Sequence, residues 1–108
     1  MELKRMSNLN GTVNLIEEWG SKHGLDKIEN NDKQLLKTVE EVGELAEAHN
    51  KKYPDKVIDS VGDIFVTLVL YCMQRNISIT DCINEAYQTI ARREGKTIDG
   101  VFIKKEDL

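Results

Sequence analysis

Hydrophobic residues recur at helical spacing in four segments of the chain, and this pattern predicts four α-helices. The predicted helices cover residues 12–23, 32–52, 55–75 and 81–95. The first and fourth segments end at a glycine and the second ends before Pro54, residues that commonly terminate helices. In the second segment the apolar residues form a stripe along one face, which we expect to pack in the core. The stripe consists of Leu35, Val39, Val42 and Ala46.

Cap signals and segment lengths complete the predicted fold. Asn31 or Asp32 can cap the second helix, and Thr80 can cap the fourth. The third segment is rich in β-branched residues, so a strand is the alternative, but its length without a turn signal favours a buried helix. Residues 97–104 are predicted to be extended. The sequence therefore predicts an all-α four-helix bundle with a short extended C-terminal tail.

The composition is that of one soluble domain. The chain has 108 residues, 40% of them hydrophobic and 31% charged, and we assign residues 1–108 to a single domain. The net charge of −4 disfavours broad electrostatic binding to nucleic acid or to an anionic membrane. The longest apolar run, residues 64–73, is too short to span a membrane. Cys72 and Cys82 form no disulfide framework, and we expect two buried thiols in a cytoplasmic protein.

Charge is concentrated in two parts of the chain. Between Glu40 and Asp63 there are seven acidic residues and three lysines, an excess that equals the whole net charge. Between Arg92 and Lys105 the balance reverses, with five basic residues and two acidic ones. An acidic centre followed by a basic end indicates a site that holds cations and anions together.

The second and third helices place carboxylates in a pattern that favours a metal site. Glu41 and Glu44 lie opposite the apolar stripe, where acids alone would indicate a solvated face. Asp59 and Asp63 share one face of the third helix, which is apolar on both sides and is therefore predicted to be buried. Buried carboxylates are costly unless they are neutralised, and a hard divalent cation with oxygen ligands would neutralise them. A surface acidic patch is the alternative.

Two stretches on these helices resemble the MazG-like nucleotide pyrophosphohydrolases. They are residues 36–48, LKTVEEVGELAEA, and residues 57–65, VIDSVGDIF. Residues 90–102, IARREGKTIDGVF, look like the ending of compact and often phage-encoded members of the family. The resemblance implies an all-α fold and a metal cofactor, Mg²⁺ or alternatively Mn²⁺. It also implies hydrolysis of a nucleoside triphosphate to the monophosphate and pyrophosphate.

The resemblance also implies roles for particular residues. The metal ligands would be Glu41, Glu44, Asp59 and Asp63. The catalytic set would be Glu40, Glu41, Glu44 and Asp63, with Glu40 or Glu47 positioning the attacking water. Substrate-binding candidates are Lys37, Arg93 and Lys96 for the phosphates and Trp19, Asn84 and Tyr87 for the base. Four of these residues have an alternative role that involves no substrate. Lys37 would then be an ordinary exposed lysine and Trp19 a core residue. Asn84 would be a surface amide and Tyr87 a half-buried ring.

One position departs from the family pattern. The second motif of the family carries a glutamate three residues before its aspartate, and Ser60 stands there in this chain. Asp59 is the nearest acid and shares a helix face with Asp63, so we expect it to act as a ligand or to hold a metal-bound water. Ser60 is either a place where glutamate would restore the family's site or a small packing residue.

Two other functions are compatible with the pattern. One is a catalytically silent helical homodimer that binds nucleotides or a partner protein. The other is a di-iron bundle, which is weakened because the chain has no Glu-x-x-His pair. A third helix that is apolar on nearly all sides cannot be covered by one small bundle, so we predict a homodimer or homotetramer.

Overall fold

The computed structural model describes residues 8–108, which fold into four α-helices followed by a β-hairpin. The elements are α1 (Leu9–Lys22), a 3₁₀ turn (Ile28–Asn30), α2 (Asn31–Asn50), α3 (Pro54–Gln74), α4 (Ile79–Ala91), β1 (Gly95–Ile98), β2 (Val101–Lys104) and a 3₁₀ turn (Lys105–Asp107). The all-α prediction with four helices is confirmed. The third segment is a helix and not a strand.

Two helices begin earlier than the sequence pattern predicts because other residues cap them. The side chain of Asn8 accepts a hydrogen bond from the backbone N–H of Gly11 at 2.7 Å and starts α1. The hydroxyl of Ser78 accepts one from the backbone N–H of Asp81 at 3.3 Å and starts α4. Thr80, the predicted cap, therefore lies within the first turn of α4. The fourth helix also ends earlier than predicted, at Ala91.

The predicted extended tail is a two-stranded antiparallel hairpin, in which Gly95 pairs with Lys104. Asp99 and Gly100 form its turn with φ angles of 52° and 80°, as an Asp-Gly hairpin turn requires. A side chain at Gly95 would clash with the backbone carbonyl oxygen of Ile103, so the strands approach closely only with glycine there. The hairpin gives the end of the chain a defined shape without a core of its own.

The hydrophobic core lies where α1, α3 and α4 meet. Val69 on α3 is fully buried at its centre. The other members of the cluster are Val13, Cys72 and Ile79, with Ile16, Phe65 and Tyr71 packed against it. α3 is the central helix, because it contacts α1, α2 and α4.

The end of the chain projects from this body as a C-terminal arm, defined here as residues 81–108. Every residue of the arm is exposed except the half-buried Ile103. The radius of gyration is 16.7 Å, whereas a compact chain of this length would have about 13 Å. The arm therefore leaves much apolar surface uncovered within one copy of the chain.

Among residues 8–108, α3 has the length and composition of a membrane-spanning helix. Its best window has a mean hydropathy of 1.5, and one third of that window is buried. Core helices of water-soluble proteins meet the same description, and α3 packs against three other helices. The prediction that the protein binds no membrane stays a prediction.

The two cysteines lie in different environments. Cys72 is buried in the core, whereas Cys82 is exposed on α4, so the prediction of two buried thiols is wrong for Cys82. α4 turns only its first residue fully into the core. Burial, and then the neighbouring Cys82, raises the pKa of the Cys72 thiol to about 11.

We expect iodoacetamide at about pH 8 to alkylate only Cys82 in the folded protein, because the thiolate is the reactive form. The raised pKa keeps Cys72 protonated at that pH, and burial blocks access to it. Intact-mass measurement should show a single adduct before unfolding in guanidinium chloride and a second one after it. The Cys82→Ser variant should show none before unfolding, and an adduct on folded Cys82→Ser would contradict the prediction.

Candidate functional site

The polar face of α2, and not its apolar stripe, packs against α3. Glu41 is only 7% exposed, whereas Leu35 is 51% and Val39 is 62% exposed. The predicted orientation of α2 is therefore wrong. The reason is that α3 offers this face polar partners, which the hydrophobic pattern of α2 alone does not reveal. The buried polar residues of α3 are Ser60, Thr67 and Gln74.

Glu41 carries a buried carboxylate that its surroundings neutralise only in part. Its Oε1 lies 3.5 Å from the Nζ of Lys37, which is also 3.5 Å from Oε2 of Glu40. The Oε2 atom of Glu41 is buried and has no hydrogen-bond partner in the part of the chain that the structure describes. A buried carboxylate oxygen without a partner is costly. Glu41 therefore has a lone pair available for a cation.

The neighbouring carboxylates repel one another. A hydrogen bond to Glu41, together with the charge of Glu41, raises the pKa of Glu44. Asp63 is exposed, but partial loss of its hydration beside α2, and then the charges of Asp59 and Glu41, raises its pKa. The structure thus brings together the two acidic motifs, Glu41 and Glu44 on α2 with Asp59 and Asp63 on α3. The four side chains form a region of negative charge, and a bound cation would offset the repulsion among them.

A cavity of about 520 Å³ opens beside these carboxylates. It is lined by Glu44, Glu47, Ala48, Lys51, Tyr53, Lys56, Asp59, Ser60 and Asp63. Asp59 and Asp63 are exposed on the cavity wall, so the prediction that they point into the core is wrong. The reason is that the part of α3 that enters the core begins further along the helix. Ser60 is 7% exposed, which agrees with a small packing residue at this position.

Three residues of the cavity wall were missed in the sequence analysis. Lys51 donates to Oε1 of Glu47 at 2.7 Å, and this bond lowers the pKa of Glu47. The Nζ of Lys56 lies 5.3 Å from the centre of the Tyr53 ring. The signal was present, because Lys51 follows Glu47 by one helical turn and all three residues flank the turn before α3.

The residues present fit a hard divalent cation. Carboxylate oxygens are the ligands that Mg²⁺ prefers, and the orphaned oxygen of Glu41 and the repulsion among its neighbours both favour a positive ion. Within residues 8–108, no three acidic, histidine or cysteine side chains already converge closely enough to hold a metal. Glu44, Asp59 and Asp63 therefore line the cavity at a wider spacing than a metal site has.

The other predicted site residues do not line the cavity. Glu41 does not line it either, and Lys37 is paired with Glu41. Glu40 is exposed and paired with Lys37. Trp19 is 49% exposed on α1, and its ring lies against that of His23 with ring centres 4.7 Å apart. The alternative in which Trp19 is buried in the core is therefore wrong. The remaining candidates, Asn84, Tyr87, Arg93 and Lys96, lie exposed on the C-terminal arm. None of these four lines the carboxylate cavity.

Comparison with known proteins connects these features to a family. The family described as MazG nucleotide pyrophosphohydrolase domain matches residues 25–98, a range that includes both acidic motifs and excludes Trp19. An uncharacterized 18.2 kDa protein in the rep-hol intergenic region of Haemophilus phage HP1 (strain HP1c1) is 36% identical over 72 residues. That match covers 67% of this chain and 44% of the phage protein, so this chain spans less than half of its relative. No solved structure matches significantly.

Proposed function

Because the chain belongs to the MazG nucleotide pyrophosphohydrolase domain family, we propose that it hydrolyses nucleoside triphosphates to the monophosphate and pyrophosphate. The substrate can carry ribose or deoxyribose. The observation that supports this proposal best is the buried, unpartnered Oε2 of Glu41 among the carboxylates of both acidic motifs. A solvated acidic patch would leave such an oxygen in water.

The proposed metal is Mg²⁺, with Mn²⁺ as the alternative. Glu41, Glu44 and Asp63 would bind it directly, and Asp59 on the same face of α3 would act as a fourth ligand or hold a water. When bound, the cation would neutralise the triphosphate and polarise the phosphorus under attack.

Glu47 is the better placed of the two candidates for positioning the attacking water. It lines the cavity, whereas Glu40 lies outside it and pairs with Lys37. The hydrogen bond from Lys51 lowers the pKa of Glu47, so its carboxylate stays ionised and can orient the attacking water by accepting a hydrogen bond from it. We therefore assign Glu47 this role and leave Glu40 as a partner of Lys37.

Cations for the phosphates come from two places. Lys37 stands beside Glu41, and Lys51 and Lys56 line the cavity. Arg93 and Lys96 keep their proposed role only if the C-terminal arm of another copy reaches the cavity, because in its own chain the arm does not line it. This condition links the function to assembly.

We propose a homodimer or homotetramer, in which further copies cover the apolar stripe of α2 and the exposed apolar face of α3. That face includes Ile58 and Val61, so the prediction that α3 is buried on both sides is wrong for a single copy. Apolar side chains exposed in such numbers are typical of an interface between proteins.

Val39→Glu is expected to convert the oligomer to a monomer, because it places a charge on the apolar stripe of α2. Light scattering at low micromolar concentration measures the change in mass. Leu9→Glu is the matched control, since Leu9 is 57% exposed on α1, outside both the apolar stripe and the arm, and it should leave the mass unchanged. A wild-type protein that is already monomeric would contradict the proposed assembly.

The test of the activity is release of pyrophosphate from a panel of ribo- and deoxyribonucleoside triphosphates. We expect turnover with Mg²⁺ or Mn²⁺ and none with excess EDTA. Nucleotide binding without turnover on every substrate and metal would instead support the silent homodimer.

A further inference from the structure

Two faces of α2 are spaced like the contact positions of a coiled coil. Residues 31, 34, 38 and 41 recur at alternating intervals of three and four, and so do residues 35, 39, 42 and 46. The first face is polar and is buried or half-buried, whereas the second is apolar and exposed. Burial of apolar surface alone would choose the second face for contact with α3. Another interaction therefore decides which face packs.

The polar face of α2 meets α3 in a line of hydrogen bonds, which we call the polar seam. It consists of Asn31, Gln34, Thr38, Thr67 and Gln74. Asn31 Nδ2 donates to Gln74 Oε1 at 2.9 Å, and Gln74 Nε2 donates to Gln34 Oε1 at 3.0 Å. The hydroxyls of Thr38 and Thr67 are hydrogen-bonded at 3.0 Å. The seam thus joins about two turns of α2 to α3.

One end of the seam is anchored outside the two helices. The Nε2 of Gln74 also donates to the backbone carbonyl of Leu25, before α2, at 2.9 Å. The guanidinium of Arg75 donates to Oδ1 of Asn31 at 2.9 Å. Asn31, which the sequence predicted as a cap, is therefore used to join α2 to α3. These bonds fix how the start of α2 is rotated about its own axis.

The seam makes the alternative packing of α2 costly. If α2 turned its apolar stripe toward α3, the buried Gln74 would lose its bonds to Asn31 and Gln34. The buried Thr67 would lose the hydroxyl of Thr38 and keep only its bond to the backbone carbonyl of Ile64. Buried polar groups without partners lose their hydration and gain nothing in return. Polar residues at coiled-coil contact positions are known to select one arrangement at a cost in stability.

The seam leads directly into the carboxylate site. One helical turn beyond Thr38 is Glu41, and one turn from Thr67 in the same direction is Asp63. We propose that the polar seam is the positioning element of this site, because it selects the face of α2 that brings Glu41 to Asp63. This inference rests on the proposed function, since it assumes that the carboxylates bind a divalent cation.

The test replaces the seam by apolar residues of similar size. The five substitutions are Asn31→Leu, Gln34→Leu, Thr38→Val, Thr67→Val and Gln74→Leu. We expect the variant to stay helical and to melt no lower than wild type, while its affinity for Mg²⁺, measured by calorimetry, falls at least about tenfold. The amide resonances of Gly43 and Gly62 should split into more than one set, because two faces of α2 would then compete.

A smaller variant and a rescue keep the test decisive if the fivefold variant fails to fold. Thr38→Val with Thr67→Val should weaken Mg²⁺ binding and split the same resonances, whereas Thr38→Ser with Thr67→Ser keeps both hydroxyls and should behave as wild type. A single set of resonances with unchanged Mg²⁺ affinity in the valine pair would overturn the inference. If wild type bound no Mg²⁺, the proposed function would fail, and the resonances alone would decide the role of the seam.

Discussion

Glu41→Gln is expected to reduce the rate of pyrophosphate release by at least about 100-fold. Glu41 is the one carboxylate of the site that is buried, and its charge reaches both Glu44 and Asp63. An amide keeps the size of the side chain but offers a neutral oxygen, which binds a hard cation more weakly than a carboxylate does. Initial rates at saturating nucleotide and Mg²⁺ measure the loss.

The same variant separates a binding role from a structural one. Without metal, Glu41→Gln removes a buried charge that repels its neighbours, so its melting temperature in EDTA should equal or exceed that of wild type. Mg²⁺ should raise the melting temperature of wild type by linkage but leave that of the variant almost unchanged. Glu85→Gln, an exposed acid on α4, serves as the control. A Glu41→Gln enzyme with near wild-type rates would show that the site is wrongly placed.

Asp59→Asn is expected to lower the affinity for Mg²⁺ by about 10- to 100-fold, with part of the lost activity returning at high Mg²⁺ concentration. Asp59 lines the cavity and its charge acts on Asp63. Ser60→Ala should retain near wild-type activity, because a hydroxyl on a helix can bond to a backbone carbonyl without any metal. Activity titrated against Mg²⁺ distinguishes the two variants. The reverse ranking would refute the assignment of Asp59 as the fourth carboxylate.

Ser60→Glu tests whether the family's spacing can be restored. Ser60 is buried beside the cavity, so a glutamate there must displace packed atoms or lose its hydration. We therefore expect a lower melting temperature and no gain in Mg²⁺ affinity. A stable Ser60→Glu protein with tighter Mg²⁺ binding would show that the cavity accepts the family's usual glutamate.

The sequence predicted the helices and the acidic residues of the site because both are local properties. Four apolar periodicities became four helices, and Glu41, Glu44, Asp59 and Asp63 are gathered on neighbouring faces of α2 and α3. The orientation of α2 could not be predicted in the same way. Its apolar stripe is a stronger pattern than its polar face, and only the bonds from Thr67 and Gln74 on another helix reverse the choice.

The residues of the arm that we proposed for phosphate binding show a second limit. The sequence analysis assigned Arg93 and Lys96 to the same site as the acidic residues because their charges are complementary. Complementary charge along the chain does not show that residues are close in space. The hairpin that carries Lys96 was predictable in part, since Asp99-Gly100 is a strong turn signal between apolar residues. The proposed role of the arm depends on the position of a second copy. No pattern in the sequence of one chain gives that position.

The short connection between α2 and α3 bears on how the protein folds. Only Lys51, Lys52 and Tyr53 separate the two helices, and all four carboxylates lie within this helical hairpin. Contacts between residues close in sequence form early, because little chain entropy is lost in closing short loops. The hairpin can therefore form before α1 docks or the arm is positioned. We therefore expect the geometry of the proposed site to belong to an early folding unit, so that late steps of folding would affect how long the site persists more than how it is shaped.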